Sequence, residues 1–586
     1  MRLLGRIVVV VLAIVGVFAV LIGGVGIWVI VKARPASLPA EMVLEINLNA
    51  GVTEAAPDSP FAKFELENAY VLKDLVMALD QASRDPRVTA VVARLDGGSP
   101  GMARAQEIRD AILAFRKSNK RTVLYSTSLG EFGAATVPYY LATAFREIWL
   151  QPSGNLGLTG FVAESPFFKG TLDLLGIRPQ FGARYEYKSA IDIFTQDRFT
   201  KESRESLDLL IDAWTRQAVI GIAEARGLSR DTVSALVDRA PLMADEARQA
   251  GLVDRLAYWD ELEKELTEGG NKLIDLADYI GDTKPEPQAV KVALIYGVGA
   301  VQRGDGGGGS PLSGSAVMSA ERISKAFQDA VKDPTVKAIL FRIDSPGGSY
   351  IASDTIWRAV GTARTAGKPV VVSMGNVAAS GGYFAAMAAD RIVAQPGTIT
   401  GSIGVFAGKM VLADFWKKLG VSWDEVHHGQ NAAMWSANEP FSPASWDRMN
   451  AILDHIYGDF TGKAEEGRHI SAADMDKIAR GRIWPGDQAK RIGLVDDIGG
   501  YETAVGLIRQ LARLPSQMPV NLVQFPRPKD PLDYLVDFAK SGRVPPDLAD
   551  GLVSFVALAK LAGTVQQLLG LLPPAGELTM PPMRTE

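Results

Sequence analysis

The chain opens with an uncharged apolar run, Ile7–Val31, 25 residues long, set between Arg2 and Arg6 on one side and Lys32 and Arg34 on the other. A helix of that length extends about 37 Å, enough to cross a bilayer core of about 30 Å with some tilt. A cleavable leader carries a shorter apolar core, about 7–15 residues, and a small-x-small site. Lys32–Ala40 offers no such site, so residues 7–31 are expected to be a membrane anchor and 1–6 a cytoplasmic tail. Beyond the anchor, short β-rich runs alternate with helical periodicity. Val290–Tyr296, Lys337–Asp344, Pro369–Met374 and Arg391–Ala394 read as buried strands. Ser319–Lys332 and Ile351–Thr365 read as amphipathic helices between them. Strands alternating with helices predict right-handed crossovers, a mainly parallel sheet and hence an α/β fold. In such folds reactive groups gather at the carboxyl ends of the strands.

This pattern occurs twice. At a spacing of 248, Asp85-Pro86, Arg94, Asp96, Ile108 and Lys120 recur as Asp333-Pro334, Arg342, Asp344, Ile356 and Lys368. At 244, Tyr139, Ile148, Gln151-Pro152, Gly157 and Gly160 recur as Tyr383, Ile392, Gln395-Pro396, Gly401 and Gly404. At 242, Gly251-Leu-Val-Asp254 recurs as Gly493-Leu-Val-Asp496. A drift of six residues over so long a stretch implies two homologous units. The expected division is a first repeat at 40–282, a linker at 283–289, a second repeat at 290–525 and a helical, Pro-rich tail at 526–586.

Composition narrows the chemistry. Apolar residues make up 47% and charged residues 22%, so the chain can bury real cores. A net charge of −5 without a basic stripe argues against a nucleic-acid partner. The absence of cysteine excludes thiolate catalysis, disulfides and Cys-ligated zinc. The four histidines, His427, His428, His455 and His469, all fall in the last third. Adjacent His427 and His428 without a third ligand read as solvated loop residues, not a metal site, and no cofactor is expected. Gly297-Val-Gly299 lacks the third glycine of a dinucleotide fingerprint, and no Gly-Lys-Ser/Thr follows Gly306–Gly309. Gly304–Gly314 reads as a flexible loop. Gly551–Leu572 is apolar but broken by Lys560, Gln566 and Gln567, which suits a packing or interfacial helix, not a second span.

Three loops at strand ends carry the candidate chemistry: Asp344-Ser-Pro-Gly-Gly348, Ala379-Ser380-Gly381-Gly382-Tyr383 and Thr400-Gly-Ser402-Ile-Gly404. A serine at a strand-to-helix turn beside glycines admits a carbonyl closely. The N–H groups of Gly381 and of Gly347 or Gly348 could hold an oxyanion, each donor being worth about 2.7–4 kcal/mol. Glycines serving only tight turns would look the same. The repeat shifts the balance. At the same spacings Ser380 falls on Thr136, Ser402 on Leu158 and Gly348 on Pro100, which has no N–H. The first repeat instead carries Tyr185-Glu-Tyr-Lys188-Ser189-Ala190, whose counterpart near Gln430–Ala432 has no lysine. Complementary losses imply one composite site per pair of repeats. A serine needs a base, and no histidine lies in these loops. A lysine serves only when neutral, its pKa brought from about 10.4 towards 7–8 by burial.

Through Asp344-Ser-Pro-Gly-Gly348, Ala379-Ser380-Gly-Gly-Tyr383, Thr400-Gly-Ser402-Ile-Gly-Val405 and Tyr187-Lys188-Ser-Ala190, and through its organisation over nearly its whole length, the sequence resembles the long, two-domain form of the signal peptide peptidase A family. The resemblance implies two tandem domains with a fold like Clp protease and crotonase, and a Ser–Lys dyad. Ser380 would be the nucleophile, Lys188 the general base, and Ser402 would orient the lysine. It further implies a bowl-shaped homotetramer on the bacterial inner membrane, its catalytic domains periplasmic, degrading released signal peptides or other apolar peptides. Two other function classes fit the residues: a crotonase-like acyl-CoA enzyme, indifferent to Ser380, and a non-catalytic membrane scaffold.

Overall fold

The computed structural model describes residues 38–56, 69–282, 286, 288–304 and 316–527, with two short strands, Glu577–Leu578 and Arg584–Thr585. The expected anchor at 7–31, most of the 283–289 linker, the Gly304–Gly314 loop from residue 305 onward and most of the 526–586 tail lie outside the described residues. Among the described residues no helix is long and apolar enough to cross a membrane.

Each repeat is built on a parallel sheet with the same strand order. In the first, the strands run Arg255–Leu256, Glu147–Leu150, Arg121–Ser126, Val88–Arg94, Met42–Asn47 and Lys272–Asp275, all parallel. In the second, Val370–Ala379, Ala338–Ser345, Val290–Val298 and Val520–Phe525 lie side by side and parallel. Arg391–Ala394 continues from Val370–Ala379 and is followed by Asp497–Ile498. Runs such as Ala338–Phe341 are buried throughout because helices cover both faces of the sheet, as a parallel sheet requires.

The residues that recur between repeats have recurring structural work. Lys120 Nζ donates to the carbonyls of Ala82 and Asp85, and Lys368 Nζ to those of Asp333 and Val336. Each lysine thereby closes the end of a helix, Leu72–Arg84 or Ala320–Lys332. Asp254 and Asp496 each accept the first N–H after a charged residue of a strand, from Ile148 and Ile392, both at 2.7 Å. The buried Tyr139 and Tyr383 hydroxyls donate to the carbonyls of Leu252 and Leu494. Two 26-residue helices, Lys201–Arg226 and Pro443–Arg468, start at Thr200 and Ser442, whose side chains accept the N–H of Ser203 and Ser445.

The two repeats share one apolar cluster, while a second lies within the second repeat alone. Val292, Leu294, Leu340, Val371 and Tyr501 of the second repeat pack in the same apolar cluster as Leu44, Val91 and Ile112 of the first. Inside this interface lies a charged network. Arg342, with no exposed surface, donates to Glu54 at 2.8 and 3.2 Å, pairs with Glu107 at 2.9 Å, and lies 4.7 Å over the Tyr501 ring. Arg104 joins Glu54 to Asp344, each at 3.0 Å. Neither residue's partners were evident from the sequence, although Arg342 and Asp344 stood out as recurring.

One strand departs from expectation. Pro369–Met374 was the expected span; the strand is Val370–Ala379 and runs up to Ser380. Its extension is built from the small residues Gly375, Ala378 and Ala379, and Val377–Ala379 pairs in parallel with Ile399–Gly401. Hydropathy periodicity does not register a strand end made of alanine and glycine.

Candidate active site

Ser380 leaves the Val370–Ala379 strand with φ +53° and ψ −118° and enters the helix Gly381–Ala386. A non-glycine residue at positive φ costs of order 1–3 kcal/mol and persists where its surroundings over-determine it. Here the Ser380 N–H donates to the Gly401 carbonyl at 2.8 Å and its own carbonyl accepts from Phe384 N at 2.9 Å. The turn projects Oγ at the carboxyl end of the sheet.

The lysine arrives from the other repeat. Strand Arg178–Arg184 pairs antiparallel with Val405–Val411 of the second repeat, in register from Val405↔Arg184 to Val411↔Arg178. The chain then turns through Tyr185–Tyr187, whose position is held by Arg480-Gly481. Tyr185 N and Tyr187 N both donate to the Arg480 carbonyl, and the Arg480 guanidinium pairs with Glu186 at 2.8 Å. A Cβ at Gly481 would lie 2.4 Å from Lys188 N, so only glycine permits this approach. These two residues carry no signal in the sequence, because their role exists only once the repeats meet.

Lys188 Nζ lies 2.7 Å from Ser380 Oγ, within a single chain. It also lies 3.0 Å from both Ser402 Oγ and the Ser402 carbonyl oxygen. Lys188 is 3% exposed. Burial pushes its ammonium down to about 7, with no neighbouring carboxylate to oppose it. A neutral amine has two N–H donors and one lone pair. Ser402 can take the two donors and the Ser380 hydroxyl can face the lone pair, so the three contacts match the neutral form.

Ser345–Gly348 lies against the start of the serine helix. A Cβ on Gly381 would stand 2.5 Å from Ser353 Oγ and 3.0 Å from Gly348 N, so the Gly381 and Gly348 backbones are in close contact. Gly348 (φ +152°) is itself obligatory, since a Cβ there would come within 2.2 Å of the Val301 carbonyl oxygen. The Gly347 N–H donates to Ser345 Oγ at 3.2 Å. All of the sequence-derived candidates thus converge on one place. The exceptions to any role there are His427 and His428, exposed on the stretch between Leu419 and Asn431.

The model of peptidase family S49 matches residues 114–273 and 362–515, one segment in each repeat and together more than half of the chain. The chain belongs to peptidase family S49. Among its relatives, Serine protease SPPA, chloroplastic, of Arabidopsis thaliana is 33% identical over 469 residues, 77% of this chain and 67% of that protein. Protease 4 of Salmonella typhi is 33% identical over 463 residues, 76% of this chain and 72% of that one. ClpP1 from Listeria monocytogenes aligns with 37% of the chain and 94% of its own, at 17% identity and a TM-score of 0.21, too low to weigh on the fold. As an S49 member with these relatives, the chain is a serine endopeptidase, and the family match extends over both repeats.

Proposed function

We propose that this S49 peptidase works through a dyad of Ser380 and Lys188 and degrades signal peptides after their release, from an anchor in the inner membrane. The observation that carries the reading is the 2.7 Å contact between a fully buried serine and a lysine that burial brings to about 7. Neutral Lys188 takes the Ser380 proton as Oγ attacks the scissile carbonyl. The developing oxyanion is met by the N–H groups of Gly381 and Gly348; Gly347 is the weaker candidate, its N–H being engaged by Ser345 Oγ. Lys188 returns the proton to the leaving amine as the C–N bond breaks, leaving an ester on Ser380. The same amine then activates water to hydrolyse it. Ser402 holds Nζ in line throughout. An acyl-CoA reading leaves this lysine without a task.

The uncharged Ile7–Val31 run supports a single-span anchor. With two basic residues on each side of it, the repeats are assigned to the periplasmic side on the ground that the six-residue tail stays cytoplasmic. The anchor would bring the site to peptides left in the bilayer. Four copies are proposed to assemble, with the exposed Leu419, Val421, Trp423 and Val426 as a contact face. Light scattering should give the mass of four chains, and a single-chain mass counts against the assembly. The dyad is tested by a serine-directed acylating probe followed by peptide mapping. The mass increment is expected on Ser380 and should disappear in Lys188→Ala. Labelling elsewhere, or undiminished labelling of Lys188→Ala, would overturn it.

A further inference from the structure

Beside the dyad, and bordered by Lys188 itself, lies a cleft open to solvent. Its walls include Phe167, Ile193, Phe199 and Leu207, with Phe167 and Phe199 set edge to face at 5.3 Å. Among the polar residues that also line it, two lack a strong partner. Ser206 is 5% exposed and its Oγ is buried without a hydrogen-bond partner, an arrangement that costs about 1–3 kcal/mol unless something arrives to use it. Asp192 accepts only a long hydrogen bond from Thr200 Oγ1, at 3.3 Å, and has no cation partner among the described residues. Burial, with Glu202 adding to it, pushes its carboxyl up to about 6.

A largely apolar cleft whose lining includes a carboxylate without a cation and an idle hydroxyl suits a side chain with a long aliphatic stem and a donor-bearing, cationic head. A plain aliphatic chain would fill the walls but leave both polar groups unmet. The rim of the cleft also takes an extended backbone. Ala163–Glu164, which line it, pair antiparallel with Arg584–Thr585 of the same chain, Arg584 standing opposite Glu164. Strand addition of this kind fixes a peptide's main chain and offers alternate side chains to pockets.

We infer that this cleft is a specificity site for a lysine or arginine side chain of the peptide substrate, with Asp192 and Ser206 receiving its head. The inference deepens the peptidase reading and rests on it. It is tested on the purified full chain with peptides identical except at one residue, lysine against norleucine, placed in turn at each of the three positions before the scissile bond. At one position the lysine peptide should show kcat/KM about tenfold above its norleucine twin. Asp192→Asn should lower the lysine peptide's kcat/KM about tenfold and collapse that ratio, Asp192→Glu should restore part of it, and Ser206→Ala should lower it about threefold. Norleucine equalling or exceeding lysine at every position in the unmodified enzyme overturns the inference while leaving the dyad standing. A lysine preference that Asp192→Asn does not move overturns it as well. Failure to cleave any of the peptides would sink the peptidase reading, and the specificity site with it.

Discussion

In the second repeat a single residue, Ser380, separates the strand from the helix that follows, and it stands at φ +53°. In the first, nine residues lie between Arg121–Ser126 and Thr136–Ala142, and Thr136, aligned with Ser380, is already helical. The N–H bond that Ser380 makes to Gly401 is made there by Ala135, to Gly157. Thr136 Oγ1 donates to the Gly160 carbonyl at 2.9 Å and accepts its N–H at 2.8 Å. Its hydroxyl is thus committed to holding a loop; the non-glycine positive φ of this turn falls on Phe132 (φ +54°), four residues before the helix. The first repeat therefore differs by more than the proposed nucleophile. Its turn is longer and puts that positive-φ residue away from the helix start, while it keeps the strand that delivers Lys188 across to the other copy. One repeat supplies the serine at positive φ and the other the buried lysine proposed as its base.

The largest test of this contrast is loss of the dyad. Ser380→Ala and Lys188→Ala should each reduce hydrolysis of a small apolar peptide ester by at least about 10³-fold with unchanged circular dichroism. Thr136→Ala should leave the rate within about twofold, as it should if its hydroxyl only ties down a loop. A comparable loss from Thr136→Ala would mean that the first repeat still takes part in the chemistry.

A second contrast concerns stability. Arg342 and Arg94 are the same position in the two repeats. Arg342 is buried between Glu54 and Glu107, whereas Arg94 meets Glu45 at 3.3 Å with its side chain 38% exposed. Removing one partner of a buried pair costs about 3–5 kcal/mol, and an exposed pair contributes about 0–1 kcal/mol. Arg342→Met should therefore lower the chemical-denaturation midpoint strongly and Arg94→Met hardly at all. Equal effects would show that the buried pairs of Arg342 matter no more to stability than the exposed pair of Arg94.

The oxyanion loops come next. Gly381→Ala places a methyl group against Ser353 Oγ and Gly348 N, and should cost kcat about 10²–10³-fold with a small change in KM, in line with loss of one donor. Val137, aligned with Gly381 in the first repeat, already carries a side chain in that place. Val137→Ala should alter stability slightly and kcat not at all.

Much of this could be read from the chain itself, and the limits have physical causes. Period and burial pattern exposed the strands Val290–Val298 and Ala338–Ser345, because long runs of β-branched and aromatic residues have no other use. Recurrence exposed Lys120, Lys368, Asp254 and Asp496, which close helix and strand ends in both copies. The serine, the lysine and their glycines were legible because the copies differ at those very positions. Arg480, Gly481, Glu54 and Arg104 were not, although Asp344, which Arg104 meets, recurs at the 248 spacing. Their partners are far away in sequence and belong to the opposite repeat, so neither periodicity nor spacing marks them. Ser206 and Asp192 were hidden for another reason: a serine and an aspartate in a polar stretch look solvated until the fold puts a cleft over them.

The smallest effect separates what tunes the lysine from what aims it. Ser402 contacts Nζ with both its hydroxyl and its carbonyl, while burial accounts for the fall of Lys188 to about 7. Activity needs the neutral amine, so it should rise with pH through about 7 and be lost below it. Folding is linked in the same direction. Between about 7 and the ordinary lysine value near 10.5 the unfolded chain binds the proton that the folded chain has shed, so stability should climb with pH across that window. Lys188→Met should abolish this dependence and be the more stable protein at pH 7. Ser402→Ala removes one hydrogen bond and keeps the carbonyl contact and the burial. It should cost kcat only about tenfold and leave the midpoint of the pH profile within about half a unit, whereas its counterpart in the first repeat, Leu158, has no polar atom to lose. A midpoint displaced by a full unit or more would show that Ser402, and not the dry pocket, sets the lysine's basicity.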